Sequence, residues 1–238
     1  MLRGRRTKAY RPLERVVFAV DLHTHSRFFH WSPGRPTRFD PVGLSLSALA
    51  GRLRGLDAVA VTNHDYAYAS QRRFPTIPGI EVSTTMGHLL VVGPDPPSRT
   101  RAGELTPAEA VDEAHDRGCA AIVAHPYRNS SLRDTEADFD AVELNGKNPE
   151  HVVQTRELAE RLDLPLTGGS DAHYPFEVGR AYTLVDADEL TPAAVADAIR
   201  SGETEAVVNL NRFEEELDRA YTRIHHAKGA MDGGSSPQ

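Results

Sequence analysis

Short apolar runs recur along this chain, and several of them are followed at once by a histidine or a carboxylate. Such runs, bounded by Gly, Pro or polar residues, are typical of buried strands. The runs that predict strands cover residues 16–22, 56–62, 77–82, 87–93, 119–124, 139–144, 164–167 and 181–185. The pattern therefore predicts a sheet whose strands deliver chemically reactive side chains at their ends.

Segments with a helical period separate several of these strands. Leu44, Leu46, Leu49 and Leu53 predict a helix that stops at Gly55. Further helices are predicted over residues 106–117, 149–162 and 191–202. Alternating strands and helices with short links predict an α/β fold with a parallel sheet and right-handed crossovers. In such folds the functional site lies at the carboxyl ends of the strands.

The pattern also divides the chain into segments. Residues 1–14 show no apolar period and are expected to be a flexible basic leader. A single folded domain is predicted over 15–210, followed by a charged C-terminal helix within 211–228. The small polar residues of 229–238 predict a disordered tail.

Composition excludes several classes of protein. The net charge of −7 gives no electrostatic footprint for long duplex nucleic acid. The apolar segment 16–20 is too short for a secretory signal or a membrane span. The lone Cys119 cannot form an intrachain disulfide and fits a reducing compartment. We therefore expect a cytoplasmic protein without a membrane partner, and the sequence leaves its oligomeric state open.

His23 and His25 form the first candidate pair of metal ligands. Residues two apart on a strand point to the same side, and neutral imidazole is a common metal ligand. Two ordinary polar residues at a strand end would explain the pair alone, but other strand ends carry similar side chains. The candidate ligands are His23, His25, His30, His64, Glu81, His88, His125, Asp171 and His173.

This set is too large for a single ion, so we expect two or three divalent ions. A carboxylate can bridge two ions, and Glu81 is the one glutamate in the set. Neighbouring divalent ions clamp phosphate oxygens, lower the pKa of a bridging water and stabilise in-line attack. The spacing therefore favours a hydrolase that acts on a phosphoester.

The ordered motifs resemble those of the PHP (polymerase and histidinol phosphatase) family. The motifs are DLHTHS from Asp21, TNHD from Thr62, PGIE from Pro78, AHP from Ala124 and GSDAH from Gly169. The resemblance covers about residues 16–207. It implies a distorted (β/α)7 TIM-like barrel, a trinuclear site of zinc, manganese or iron, and phosphoester hydrolysis.

The resemblance also implies an assignment of ligands. One ion would be bound by His23, His25, Glu81 and Asp171, and Glu81 would bridge to a second ion bound by His88 and His125. A third ion would take His64, His173 and the position of His30. Many small members of the family have an aspartate where this chain has His30. His88 is matched only by its position shortly after Glu81.

We expect Glu81, Asp171 and Arg128 to carry catalysis. Arg128 follows His125-Pro126, and Arg180 lies in Val178-Gly179-Arg180; both could bind a phosphate oxygen. A surface ion pair is the alternative for each arginine. The loop over residues 31–40 is either a lid over the site or a surface excursion.

Four functions are compatible with these residues. We favour hydrolysis of a small phosphomonoester, such as a nucleotide or histidinol phosphate. The main alternative is a phosphodiesterase or exonuclease acting on short single-stranded nucleic acid. An amidohydrolase-type cyclic amide hydrolase ranks lower, because that class usually bridges its ions with a modified lysine. A metal-binding module without catalysis also ranks lower.

Overall fold

The computed structural model describes residues 16–27, 34–68 and 74–209. The strands are β1 (Val16–Thr24), β2 (Ala58–Val61), β3 (Thr76–Thr84), β4 (Gly87–Val92), β5 (Ala120–Val123), β6 (Ala141–Asn145), β7 (Leu166–Gly169), β8 (Ala181–Ala187) and β9 (Thr204–Val208). The α-helices are α1 (Asp40–Leu53), α2 (Pro107–Asp116), α3 (Val152–Leu162) and α4 (Pro192–Arg200). The Thr-Pro start predicted for the second helix is a capping box, in which Thr106 and Glu109 each bond the other's backbone N–H.

The strands form one sheet in the order β7-β6-β5-β4-β3-β2-β1-β8-β9. The sheet curls until the segment after β7 meets the end of β1. There Ala172 forms a parallel bridge with Thr24, and the His25 N–H donates to the Ala172 carbonyl at 2.8 Å. The described residues thus form a nearly closed barrel, which confirms the predicted single-domain, TIM-like α/β fold.

The prediction of a parallel sheet is wrong for part of the barrel. Strands β1–β2, β2–β3, β5–β6 and β6–β7 pair in parallel, whereas β3–β4, β4–β5, β1–β8 and β8–β9 pair antiparallel. The link between Thr84 and Gly87 is too short for a crossover helix, so β3 and β4 form a hairpin. The hairpin pairs Ser83 with His88, which brings the start of β4 to the carboxyl end of β3.

The central strands are apolar on both faces because both faces are covered. Leu90 and Ile122 belong to the same cluster as Ile199 of α4, whereas Val91 and Ala121 pack with residues of α2 and α3. Successive residues of a strand therefore enter different layers of core. This arrangement explains why the strands appear in the sequence as continuous apolar runs.

Helix α1 approaches the strand end that carries His25 very closely. A Cβ atom on Gly43 would overlap the carbonyl oxygen of Ser26, so only glycine fits at this helical position. Alanine usually stabilises a helix relative to glycine by about 1 kcal/mol. Here that gain is smaller than the free-energy cost of displacing the helix from the end of β1.

We therefore expect Gly43→Ala to lower the free energy of unfolding by about 3 kcal/mol, at the upper end of the cost of overpacking. Urea unfolding of the variant and the parent measures this difference. Gly51→Ala is the matched control in the same helix, since its Cβ would meet side chains of Val59 and Phe74 at 3.2 and 3.4 Å. Equal stability of the two variants would contradict the proposed close contact.

Several predictions concern residues outside the described ranges. These are His30, the first part of the loop over 31–40, the leader 1–14, the helix within 211–228 and the tail 229–238. In the part of the chain that the structure describes, no helix has the length and apolar character needed to cross a membrane. The cytoplasmic location stays a prediction.

Candidate metal centre

Glu81 lies at the centre of a ring of histidines at the mouth of the barrel. Its side chain is fully buried in β3, and imidazole nitrogens surround both of its oxygens. The nitrogens near Oε1 are His88 Nδ1 at 2.6 Å and His125 Nε2 at 3.1 Å. Those near Oε2 are His64 Nδ1 at 3.1 Å, His23 Nε2 at 3.2 Å and His25 Nε2 at 3.3 Å. One carboxylate thus contacts imidazoles from four different parts of the barrel.

Asp171 and His173 complete the cluster from the segment after β7. Asp171 Oδ1 lies 3.2 Å from His25 Nε2 and 3.4 Å from His173 Nδ1. Asp171 has a backbone φ of +53°, a left-handed conformation that a non-glycine residue seldom adopts. Strained backbone of this kind often occurs at functional sites, and here it turns the carboxylate towards the histidines.

The donor set fits divalent ions. Among the described residues, three groups each bring their ligand atoms within 4.8 Å of one another: His23, His25 and Glu81; His64, Glu81 and His88; and His25, His64 and His173. The Nε2 atoms of His23 and His25 are 3.2 Å apart, so both could bind the same cation. Imidazole and carboxylate are ligands for zinc, manganese and iron.

Every predicted ligand in the described ranges joins this cluster, and His30 lies outside those ranges. The predicted partition of the ligands among three ions stays a prediction. His88 enters through the β3–β4 hairpin, although it begins its strand rather than ending it.

Electrostatics keep the two carboxylates ionised. Burial alone would raise the pKa of Glu81, but His64, His23 and His88 outweigh it and hold this pKa well below its usual value. Burial likewise opposes the ionisation of Asp171, but Lys147, Arg128 and His23 lower its pKa well below the ordinary range. Ionised carboxylates are the form that binds cations, so the site is prepared for metal near neutral pH.

Glu143 is not among the residues predicted from the sequence, and it contacts two of the candidate ligands from the side away from Glu81 through hydrogen bonds to His23 and His125. Its Oε1 lies 2.8 Å from His23 Nδ1, and its Oε2 accepts hydrogen bonds from the His125 backbone N–H and from Asn145 Nδ2. A proton on His23 Nδ1 leaves Nε2 free to bind a metal. The signal was present in the sequence, because Glu143 is the penultimate residue of the apolar run 139–144, as Glu81 is of the run 77–82.

A buried polar network joins the strand ends that carry His25 and His64. Asp40 accepts hydrogen bonds from Ser26 Oγ at 2.5 Å and from the Tyr66 hydroxyl at 2.6 Å. The Ser26 backbone N–H donates to Asn63 Oδ1 at 2.9 Å. The residues next to both histidines are thereby fixed to each other and to the start of α1.

Two cations lie beside Asp171. Arg128 donates to Asp171 Oδ2, and about a third of its side chain is exposed. Lys147 Nζ lies 3.5 Å from Asp171 Oδ1 and 2.8 Å from His173 Nδ1. Both groups border the cluster, where an anion approaching the site would meet them.

Arg180 occupies a different position from Arg128. Its side chain is buried and lies 4.0 Å from Glu177 Oε1, and Glu177 Oε2 accepts a hydrogen bond from the His173 backbone N–H. Glu177 therefore links Arg180 to the backbone of His173. Its role in phosphate binding stays a prediction.

Comparison with known proteins supports the family that the motifs indicated. A family model described as PHP-associated matches residues 150–204. A two-domain protein from Bacteroides vulgatus ATCC 8482 that contains a predicted PHP-like metal-dependent phosphoesterase has a similar structure, with a TM-score of 0.56 and 19% identity over 87% of this chain and 70% of that one. The resemblance to the PHP family is confirmed.

Other solved structures are similar in fold to this chain. PsfC from Pseudomonas syringae PB-5123 matches with a TM-score of 0.66 and 19% identity, over 87% of this chain and 98% of that one. Endonuclease Q, in complex with a 27-mer duplex that carries an abasic lesion, matches with a TM-score of 0.52 and 18% identity. The match covers 80% of this chain and 58% of that one. Comparison with curated sequences finds no match. The PHP-associated model and the cluster of imidazoles and carboxylates agree with the predicted PHP-type metal-dependent phosphoesterase, and the solved structures show the shared fold.

Proposed function

We propose that this chain is a metal-dependent hydrolase that releases phosphate from a small phosphomonoester. The observation that carries the proposal is the cluster around Glu81, with Arg128 and Lys147 beside Asp171. Bound divalent ions would supply positive charge to the phosphoryl oxygens and increase the acidity of the attacking water. We propose two or three such ions of zinc, manganese or iron.

The residues of the chain supply position and charge. Glu81 and Asp171 provide ionised oxygens among the imidazoles, and Glu143 orients His23. Arg128 presents a planar guanidinium that can donate two parallel hydrogen bonds to a phosphate. Lys147 adds a compact positive charge beside Asp171, the carboxylate that Arg128 also contacts. Two cations beside the ligands suit the dianionic terminal phosphate of a monoester.

A phosphodiesterase acting on short single-stranded nucleic acid is the second candidate. The fold similarity to endonuclease Q favours this alternative. The acidic net charge of −7 limits such a substrate to a short footprint. Only turnover separates the two candidates.

The deciding experiment is hydrolysis by the Mn²⁺-loaded protein across a panel of histidinol phosphate, AMP, a 3′,5′-bisphosphate, a short RNA and an aryl phosphodiester. Phosphate release from a monoester, lost in the Asp171→Ala variant, is the expected result. A ladder of shortened RNA would favour the phosphodiesterase instead. Full metal loading without turnover of any member would overturn both and favour a module without catalysis.

Arg128 provides a more specific prediction. Hydrogen bonds to charged groups contribute about 1.5–3 kcal/mol, so Arg128→Met should lower kcat/KM roughly 10–100-fold, mainly through KM. Steady-state kinetics on the preferred substrate measure the effect. The exposed Arg101 supplies the control, since Arg101→Met should leave both constants unchanged. An unaltered KM in the Arg128 variant would remove this residue from substrate binding.

A further inference from the structure

A narrow cavity lies beside His125, one of the predicted metal ligands. The loop after β5, the end of β6 and the start of α3 surround it, and its apolar walls include Pro126, Leu144 and Val152. The cavity has a volume of about 10 Å³, which is about the room that one water molecule needs. One small polar group can therefore bind next to this ligand.

Two buried polar atoms border this cavity without a hydrogen-bond partner among the described residues. One is Nδ1 of His125, a residue that is only 3% exposed. The other is Oδ1 of Asn148, in the turn that links β6 to α3. Buried polar atoms in folded proteins nearly always have a partner, either in the protein or in an ordered water molecule. Two such atoms beside one small cavity therefore indicate a polar group bound between them.

His125 needs a hydrogen bond at Nδ1 to serve as a metal ligand through Nε2. Its Nε2 lies 3.1 Å from Glu81 Oε1, inside the cluster. A neutral imidazole that binds a metal through one nitrogen carries its proton on the other, and a partner there fixes the tautomer and the ring orientation. Glu143 provides such a partner for His23, at 2.8 Å from Nδ1. In the part of the chain that the structure describes, no protein atom does so for His125.

The Asn148 amide is oriented so that its oxygen is the buried end. Its Nδ2 donates to Oε1 of the exposed Glu150 at 3.3 Å, and this contact distinguishes the amide nitrogen from the oxygen. The oxygen can only accept a hydrogen bond. A water molecule that donates to Asn148 Oδ1 keeps a lone pair for the Nδ1–H of His125. Such a bridge selects the tautomer of His125 whose Nε2 is free for a metal.

We propose that Asn148 positions His125 for metal binding through one water molecule held in this cavity, an inference that rests on the proposed metal-dependent function. His125 Nδ1–H donates to the water, and the water donates to Asn148 Oδ1. The turn itself is well fixed, because the Asn148 backbone N–H donates to the Asn145 carbonyl at 3.1 Å. Asn145 Nδ2 in turn donates to Glu143 at 3.1 Å, so one turn supports both His23 and His125.

Three variants separate the amide oxygen of Asn148 from the rest of its side chain. Asn148→Leu keeps a similar size and removes the acceptor, whereas Asn148→Asp keeps an oxygen acceptor at the same position. Glu150→Gln is the matched control, since it changes only the group that faces the amide nitrogen. The backbone φ of −125° at Asn148 suits any residue, so all three variants should retain the fold.

Calorimetric titration of the full chain with Zn²⁺ measures the effect on metal binding. Asn148→Leu should lower the affinity about 10-fold, the lower end of what loss of a supporting hydrogen bond costs. Asn148→Asp and Glu150→Gln should bind Zn²⁺ as tightly as the parent. Parental affinity in Asn148→Leu would overturn the proposal. Equal weakening in the Leu and Asp variants would also overturn it, because the oxygen would then have no role of its own.

A crystal structure of the Zn²⁺-loaded protein provides a readout that is independent of turnover. An ordered water within about 3.2 Å of both His125 Nδ1 and Asn148 Oδ1 is the expected result, and Asn148→Leu should lack it. A parent structure without this water would refute the proposal. Zn²⁺ binding without turnover of any phosphoester would instead contradict the proposed function and leave the positioning role of Asn148 standing.

Discussion

Replacing Glu81 with glutamine is expected to abolish metal-dependent hydrolysis and to lower metal content. Glu81 is fully buried and lies within 3.3 Å of five imidazole nitrogens, more than any other carboxylate in the described cluster. Glutamine keeps the shape but removes the charge and exchanges one acceptor for a donor. Loss of a hydrogen bond that supports a ligand costs about 10–100-fold in metal affinity or activity, and loss of the shared ligand itself should cost more, roughly 10²–10³-fold or more in activity.

Elemental analysis of the purified variant, together with turnover of the preferred phosphoester, measures this effect. The exposed Glu157 supplies a matched control, since Glu157→Gln should retain both metal and activity. Thermal unfolding with added Mn²⁺ provides a second readout, because an ion that binds only the folded state raises Tm. The Glu81 variant should lose most of this shift. Normal metal content and turnover would exclude Glu81 as the shared ligand.

The sequence revealed most of the ligands because their placement follows from local rules. His23 lies in β1 and His25 directly follows this strand, and His64, His125 and Asp171 come within four residues after the end of an apolar run. Such residues meet at one rim because the strands share a direction there. No long-range information is needed to bring them together.

Strand direction was harder to predict, and His88 shows why. In a parallel sheet, a residue at the start of a strand would lie at the end opposite to the other ligands. The β3–β4 pair is antiparallel, so the start of β4 lies beside the carboxyl end of β3. The two residues between Thr84 and Gly87 contain the information, since a parallel crossover needs many more. Strand β9 was missed because its residues are only partly buried, so its apolar signal is weak.

Contacts made behind the ligands depend on how distant elements pack. Arg180 and Arg128 both follow short motifs, yet one is buried against Glu177 and the other lies partly exposed beside Asp171. The network of Asp40, Ser26 and Tyr66 joins three segments that are far apart in sequence. Its geometry arises only when α1 packs closely on the end of β1.

Glu143→Gln is expected to weaken metal binding and activity while leaving the fold intact. The carboxylate uses both oxygens as acceptors, one towards His23 Nδ1 and the other towards the His125 N–H and Asn145 Nδ2. A glutamine amide can satisfy only one side, because its NH₂ group would face a donor on the other. Loss of such supporting hydrogen bonds typically costs about 10–100-fold in metal affinity or activity.

Titration with Mn²⁺, followed by calorimetry and by activity, distinguishes this positioning role from a general loss of stability. A merely structural role would lower the free energy of unfolding without changing the affinity of the folded protein for metal. A positioning role should lower the affinity, and raising the Mn²⁺ concentration should restore part of the turnover. The exposed Glu136 provides the control, since Glu136→Gln removes a charge from the surface at no cost to the ligands. If the Glu143 variant bound Mn²⁺ as tightly as the parent, the orientation of His23 would not depend on this carboxylate. Its hydrogen bonds with the His125 backbone N–H and Asn145 Nδ2 would then be its only function.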